Sequence, residues 1–254
     1  MPVLGLGTWQ LTDDTADTVK TALDMGYRLI DTSGDYGTQA GIAAALGSSD
    51  VDRQDLYLVT KVEEDEDAYD ATRDRLRELD VERVDLMLIH RPPPSGAGVD
   101  LWRGLQQARD DGLTVDIGVS NYSIEDMNAL IETSGEVPAV NQIEWSPFGW
   151  SQTMLDYCNG HGIVIQAYSP LTRTERLDDE TLQEIAVHHD KTPAHVLIRW
   201  NIQLGVVPLP KANNLDHLRE NLAVFDFELR EEDMRRLEER NEHYSSLGGS
   251  LAYA

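Results

Sequence analysis

The 254-residue chain carries 46 acidic against 21 basic side chains, a formal charge of −25. That balance excludes a surface built for nucleic acid or an anionic membrane, and any phosphate-bearing partner must be gripped locally. A single cysteine, Cys158, excludes an intrachain disulfide and a cysteine zinc cage, and no metal site is expected.

The length suits one domain over residues 1–254 with a full core. No basic leader and no apolar run of membrane-spanning length is read, so a cytoplasmic protein is expected. Only Lys20, Lys61, Lys191 and Lys211 are lysine; the other seventeen of the 21 bases are arginine. An acidic shell poor in lysine suits a high-salt cytoplasm, where a Debye length of about 3 Å at 1 M screens repulsion that reaches about 10 Å at 0.1 M.

In chain order, residues 3–7 read as a strand, and Ala16, Val19, Ala22 and Leu23 give helical spacing before Gly26. The unit recurs: strand 29–31 with helix 39–46, strand 56–60 with helix 68–79, and strand 84–89 with helix 99–111. Strand 115–119 with helix 124–131, 139–143 with 152–159, 163–168 with 181–189, and 206–209 with 215–224 complete eight alternations. Thr192 and Pro193 open one further helix through Trp200, a cap residue followed by proline at the first helical position. Eight short apolar strands alternating with helices predict a closed parallel (β/α)8 TIM barrel of the α/β class. The Ser- and Gly-rich tail, residues 241–254, is expected to pack loosely.

Reactive groups of such a barrel lie at the C-terminal ends of its strands. Those ends carry Thr8 and Trp9, Asp31 with Tyr36 beyond it, Lys61, His90, Ser120 with Asn121, Gln142, Tyr168 with Ser169, and Lys211. A lysine at the rim of an apolar barrel must be paired or shift its pKa, and Asp31 is the candidate counter-ion of Lys61. A free phenol titrates near 10, and a neighbouring ammonium is expected to lower that value and make Tyr36 a proton donor. His90 could fix a substrate oxygen by a hydrogen bond. A hydride must come from a cofactor, since no side chain supplies one.

The motifs GLGTWQ (5–10), RLIDTSGDYG (28–37), VTK ending at Lys61, DLMLIHRP (85–92), GVSN (118–121), NQIEWSP (141–147), AYSPL (167–171), LPKA (209–212) and REN (219–221) together resemble the aldo-keto reductase superfamily over nearly the whole chain. The resemblance implies a catalytic tetrad of Asp31, Tyr36, Lys61 and His90, with Tyr36 as the acid in reduction of an aldehyde or ketone. It implies that Thr8 and Trp9 stand at the cofactor site and that Ser120, Asn121 and Gln142 hold the nicotinamide carboxamide. Tyr168 would stack on the ring, and Ser169, Pro170 and Leu171 would lie along the pyrophosphate. Lys211 and Ala212 would face the adenosine phosphate together with His217, with Glu220 and Asn221 near the adenine. The implied partners are NADPH, with NADH also used, and a small carbonyl substrate; a monomer is expected.

Two departures bear on the cofactor site and the floor. The family usually places Ser after this lysine and Arg six positions beyond it, where this chain has Ala212 and His217. A neutral His cannot match the bidentate pairing of Arg with phosphate, so a weakened NADPH preference is predicted. The family usually has an N-terminal hairpin plugging the barrel floor ahead of the position of Pro2, so either a differently packed floor or a different start site is expected, and Thr38 and Gln39 replace the usual Asn-Glu pair, for which a local rearrangement is expected.

Elsewhere the acidic run 63–67 reads as a solvated helix start, and His188 with His189 as surface decoration. Among Trp9, Trp145, Phe148 and Trp150, Trp9 is the expected pocket wall, and the short segment 91–99 suggests an open site. Rival readings are a barrel aldolase using Lys61 as Schiff-base nucleophile and a non-catalytic nicotinamide-binding regulatory subunit.

Overall fold

The computed structural model describes residues 1–11, 14–249, 251 and 253. Eight parallel strands form one sheet whose order follows the chain: β1 (Leu6–Gly7), β2 (Leu29–Asp31), β3 (Tyr57–Val62), β4 (Val84–Ile89), β5 (Thr114–Ser120), β6 (Val140–Glu144), β7 (Val164–Tyr168) and β8 (Val207–Pro208). The sheet closes where Gly5 donates its N–H to the Pro208 carbonyl at 3.1 Å and Gly7 to that of Pro210 at 3.2 Å. Pro208 and Pro210 have no N–H to return, so both seam strands shrink to two residues, shorter than the sequence reading of either.

Helices α1 (Thr15–Met25), α2 (Gln39–Ser48), α3 (Ala68–Leu79), α4 (Val99–Asp110), α5 (Ile124–Ser134), α6 (Gln152–His161), α7 (Glu180–His188), α8 (Pro193–Gln203), α9 (Leu215–Leu222) and α10 (Glu231–Glu238) cover the outside. Sequence dictates several of their starts. Ser123 and Thr192 each close a reciprocal capping box, and Pro193 occupies the first turn of α8. The helix α10 escapes periodicity because EEDMRRLE offers only Met234 and Leu237 as apolar anchors.

Alternation along the strands divides the core in two. Leu29, Val59, Leu86, Leu88, Val140, Val207 and Leu209 fill the barrel interior, while a larger cluster lies between sheet and helices. The interior positions one pleat further on are polar, and this is what places the site: Asp31 follows Leu29, Lys61 follows Val59, His90 follows Leu88 and Gln142 follows Val140. At the lower end, Met1 reaches the barrel and its sulfur accepts a hydrogen bond from Gln166 Nε2 at 3.2 Å.

The tail is anchored, against the expectation of loose packing. Glu144, at the end of β6, accepts from Ser245 Oγ at 2.7 Å and from Ser246 N and Oγ at 2.7 and 2.5 Å. Tyr253 donates to the Glu144 and Gly149 carbonyls and packs on Trp145. A buried carboxylate must be satisfied, and these hydroxyls satisfy it. His189 likewise is no surface decoration: its Nε2 meets Asp233 Oδ2 at 2.8 Å and ties α10 to the end of α7. No helix among the described residues is long and apolar enough to cross a membrane.

Candidate active site

Lys61 is fully buried, and its Nζ donates to Asp31 Oδ1 at 2.8 Å and to the Thr32 carbonyl at 2.8 Å. Gln142 Nε2 donates to the same Asp31 oxygen at 2.7 Å and to Gln166 Oε1 at 2.9 Å. Burial alone would drive the ammonium pKa down, but Asp31, and after it Tyr36, outweigh burial and hold it above the ordinary lysine value. A charge with no solvent contact is therefore kept, paired on one side and hydrogen-bonded on the other.

The segment SGDYG folds into a one-turn 3₁₀ helix, Gly34–Tyr36, ending at Gly37 in the left-handed region with φ 69°. At Gly34 the turn packs directly against the Arg75 guanidinium: a Cβ there would lie 2.2 Å from its central carbon, so a side chain at this position would displace Arg75. Arg75 in turn donates to the Lys61 carbonyl at 3.2 Å and pairs with Glu66 at 2.5 Å. The turn carries Tyr36 over the buried ammonium, with Lys61 Nζ 4.8 Å from the ring centroid and His90 edge-on at 5.8 Å between centroids.

The phenol does not respond as the sequence suggested. Burial pushes the Tyr36 pKa above its ordinary value, and the Lys61 ammonium draws it back only in part. Desolvating a phenolate costs more here than one neighbouring cation returns, so Tyr36 is a protonated, neutral donor.

His90 has its Nδ1 2.8 Å from both oxygens of Glu63 and 3.8 Å from Asp35, while its other ring nitrogen makes no hydrogen bond among the described residues. Burial pushes the Glu63 carboxyl up, but the His90 contact, Ser33 and Arg91 together hold it below the usual carboxylate range. Glu63 is a site residue that the sequence reading missed by treating the acidic run as solvated. The signal was alternation: two residues beyond Lys61 a strand returns to the same face. The rest of that run behaves as a helix start, with Asp67 accepting from Asp70 N at 3.0 Å.

One cavity of about 570 Å³ opens above these groups. It is lined by Asp31, Tyr36 and His90 and by ten of the expected cofactor residues: Trp9, Ser120, Asn121, Gln142, Tyr168, Ser169, Pro170, Leu171, Lys211 and His217. Asn121 sits in the left-handed region at φ 62°, donating to the His90 carbonyl at 3.0 Å and accepting from the Tyr168 hydroxyl at 2.8 Å.

Thr8, Ala212, Glu220 and Asn221 do not line the cavity. Thr8 is buried beneath it, donating to the Asp31 carbonyl at 2.8 Å and meeting Thr38 at 3.1 Å. Ala212 and Asn221 are also buried, and Glu220 accepts from Thr192 at 2.5 Å. The Thr38 and Gln39 replacement settles into the wall, Gln39 accepting from Thr60 at 2.7 Å and Thr38 meeting Thr32 at 2.8 Å. Trp9 is a cavity wall as expected, whereas Trp145, Phe148 and Trp150 are core. Asp35, Arg91, Arg173 and Leu247 line the cavity without having been singled out.

The Aldo/keto reductase family model matches residues 3–242. An aldo-keto reductase of Mycobacterium sp. (strain MCS) is 40% identical over 243 residues, covering 93% of this chain and 86% of that protein. The 9,11-endoperoxide prostaglandin H2 reductase of Trypanosoma cruzi is 39% identical over 258 residues, covering 98% and 90%. Among solved structures, an aldo/keto reductase from Brucella melitensis superposes with a TM-score of 0.90 at 35% identity, covering 95% of each chain. A Bombyx mori aldo-keto reductase in complex with NADP superposes at 0.91 with 29% identity, covering 97% and 91%. With the barrel, the polar mouth and a family match over almost its whole length, the chain belongs to the aldo/keto reductase family of oxidoreductases.

Proposed function

We propose that this protein reduces small aldehydes or ketones to alcohols with NADPH, with Tyr36 as the general acid. The observation that carries the reading is the stack of Asp31, Lys61 and Tyr36: a sealed ammonium lies under a neutral phenol that faces the cavity. Bound nicotinamide would supply the hydride to the carbonyl carbon. The carbonyl oxygen takes the Tyr36 proton, and Lys61, held by Asp31, is the charge that stabilises the phenolate left behind. The His90 nitrogen not engaged by Glu63 is the one that can meet the same oxygen.

The donor set fits a nicotinamide dinucleotide. Ser120, Asn121 and Gln142 bring hydroxyl and amide groups to one wall, matching the donors and acceptors of a carboxamide. Lys20, Lys61 and Lys191 are paired with Asp24, Asp31 and Asp226, whereas Lys211 lines the cavity with no acidic partner among the described residues. Arg173, stacked 5.3 Å from the Trp9 ring, is a second cation there. The His217 backbone N–H donates to the Asn214 cap at 2.8 Å, its ring Nδ1 lies 3.2 Å from Asn214 Nδ2, and an imidazole offers no bidentate grip on a 2′-phosphate. NADPH remains preferred through Lys211, with measurable use of NADH; a kcat/KM ratio as large as in strictly NADPH-dependent enzymes would refute this.

Replacing Tyr36 by Phe removes the proton and should lower turnover roughly 10²- to 10⁴-fold while nucleotide affinity, read by fluorescence titration, stays near normal. Undiminished turnover would overturn the assignment. The aldolase reading needs a free lysine amine, and Lys61 is sealed and held protonated. Measurable turnover would set aside a regulatory, non-catalytic role.

A further inference from the structure

The cavity is sorted by charge. In a ring of eight strands taken in order, β4 and β8 stand opposite each other, so the mouth segment after β4 faces the one after β8. Lys211 lies just beyond β8, and Arg173 lines the cavity beyond the neighbouring β7. Beyond β4 stands Arg91, the one other arginine of the lining, and it does not stand free. Its guanidinium lies 3.8 Å from Asp35, 3.6 Å from Glu63 and 3.7 Å from Glu64.

Three carboxylates thus surround one guanidinium, at ion-pair distance but without a hydrogen bond to it. Glu64 Oε2 is buried and has no hydrogen-bond partner among the described residues. Of the three only Asp35 lines the cavity itself, Glu63 and Glu64 standing against Arg91 outside the lining; with Arg91 and a protonated His90 counted as two cations, the three carboxylates still leave one net negative charge there. The guanidinium is already shared, so an incoming carboxylate would compete with three resident anions for it. A chain of net charge −25 adds a field of the same sign.

From this we infer that the substrate end of the site selects carbonyl compounds that are neutral or carry a cationic group and rejects those bearing a carboxylate, with Asp35, Glu63 and Glu64 as the discriminating residues around Arg91. The inference rests on the proposed carbonyl reduction and names the substrate class of that site. Like charges held within several ångströms in a partly desolvated mouth repel appreciably, and specificity then comes from the repulsive element rather than from a new contact.

The test uses three aldehydes of one shape: 4-nitrobenzaldehyde (neutral), 4-formylbenzoate (anionic) and 4-(trimethylammonio)benzaldehyde (cationic). Each is assayed by NADPH oxidation at pH 7 and low ionic strength. The readout is the ratio of kcat/KM between charged and neutral aldehydes, in which any shared change of turnover cancels. The anionic aldehyde should fall about tenfold or more below the neutral one, mainly through KM. Asp35→Asn and Glu64→Gln should each narrow that gap, and Arg91→Gln should widen it.

A preference for 4-formylbenzoate that Arg91→Gln abolishes would overturn the inference, since Arg91 would then be a carboxylate receptor. Equal rates with all three aldehydes would overturn it while leaving carbonyl reduction intact. Failure of all three to consume NADPH would overturn the carbonyl-reductase reading and this inference with it.

Discussion

Two ionic centres, one at the end of β3 and one just beyond it, obey opposite rules. Lys61 and Asp31 are sealed in the barrel, a single pair closed by Thr32 and Gln142. Glu63, Asp35 and Glu64 gather around Arg91 at the rim, where that guanidinium is half exposed and no contact between it and the carboxylates is shorter than 3.6 Å. Geometry decides what each can do. A desolvated pair is worth much and costs much if broken, whereas a cluster around a half-exposed guanidinium acts as a field that salt can screen. In the proposed function the reaction chemistry falls to the first and discrimination among substrates to the second.

The sharpest way to break the comparison is Lys61→Met. It leaves the buried Asp31 carboxylate with Gln142 as its remaining side-chain donor, and removal of one partner of such a pair costs about 3–5 kcal/mol. A large fall in the urea midpoint, together with loss of turnover, is expected. The double variant Lys61→Met/Asp31→Leu should recover most of the stability and none of the turnover. Were the single variant as stable as the parent, the pair could not be sealed in the way described.

Titration separates the two centres next, because their shifts have opposite signs. The folded Lys61 pKa is raised, so its contribution to stability is complete below the unfolded value near 10.4 and is lost as pH rises through the folded value. Glu63 is lowered, so its contribution is present above about 4.3 and is lost as pH falls through the folded value. Thermal midpoints measured across pH should therefore show a shallower acid limb in Glu63→Gln with the alkaline limb unchanged. Identical acid limbs in the two proteins would show that Glu63 is not the group engaged there. Tyr36, also raised, stays protonated to alkaline pH, so in the proposed reduction loss of its proton would not limit turnover near neutrality.

How much of this was legible in the chain divides along the same line. Asp31, Lys61 and His90 end apolar strands, and strand periodicity alone carries them to one mouth. The order of the eight strands was legible for the same reason. Glu63 was hidden by its acidic neighbours, although its spacing from Lys61 already turned it inward. The direction of the Tyr36 shift was not legible, because a sequence displays a neighbouring ammonium and not the burial that outweighs it. The tail is the clearest failure of local reading. Ser245 and Ser246 look like linker residues until Glu144, about a hundred positions earlier, is found to need their hydroxyls. Thr8 follows a strand as an active-site residue would, yet its hydroxyl turns down to Asp31 and Thr38.

Salt gives the mildest separation and the finest. Raising NaCl from 0.1 to 1 M shortens the Debye length from about 10 Å to about 3 Å. The guanidinium at the rim is half exposed, with its carboxylates 3.6 to 3.8 Å away, so the field of the cluster on an incoming substrate weakens. Selectivity against 4-formylbenzoate should shrink with salt. No counter-ion reaches Lys61, which has no solvent contact, so turnover of the neutral aldehyde at saturation should change by less than about twofold. The same titration, followed by the unfolding midpoint, measures the whole acidic shell: a chain at −25 that repels itself in dilute buffer should gain stability as salt is added. If neutral-aldehyde turnover moved with salt as steeply as the selectivity does, ions would be reaching the catalytic pair, and the division between a sealed and an open centre would fail.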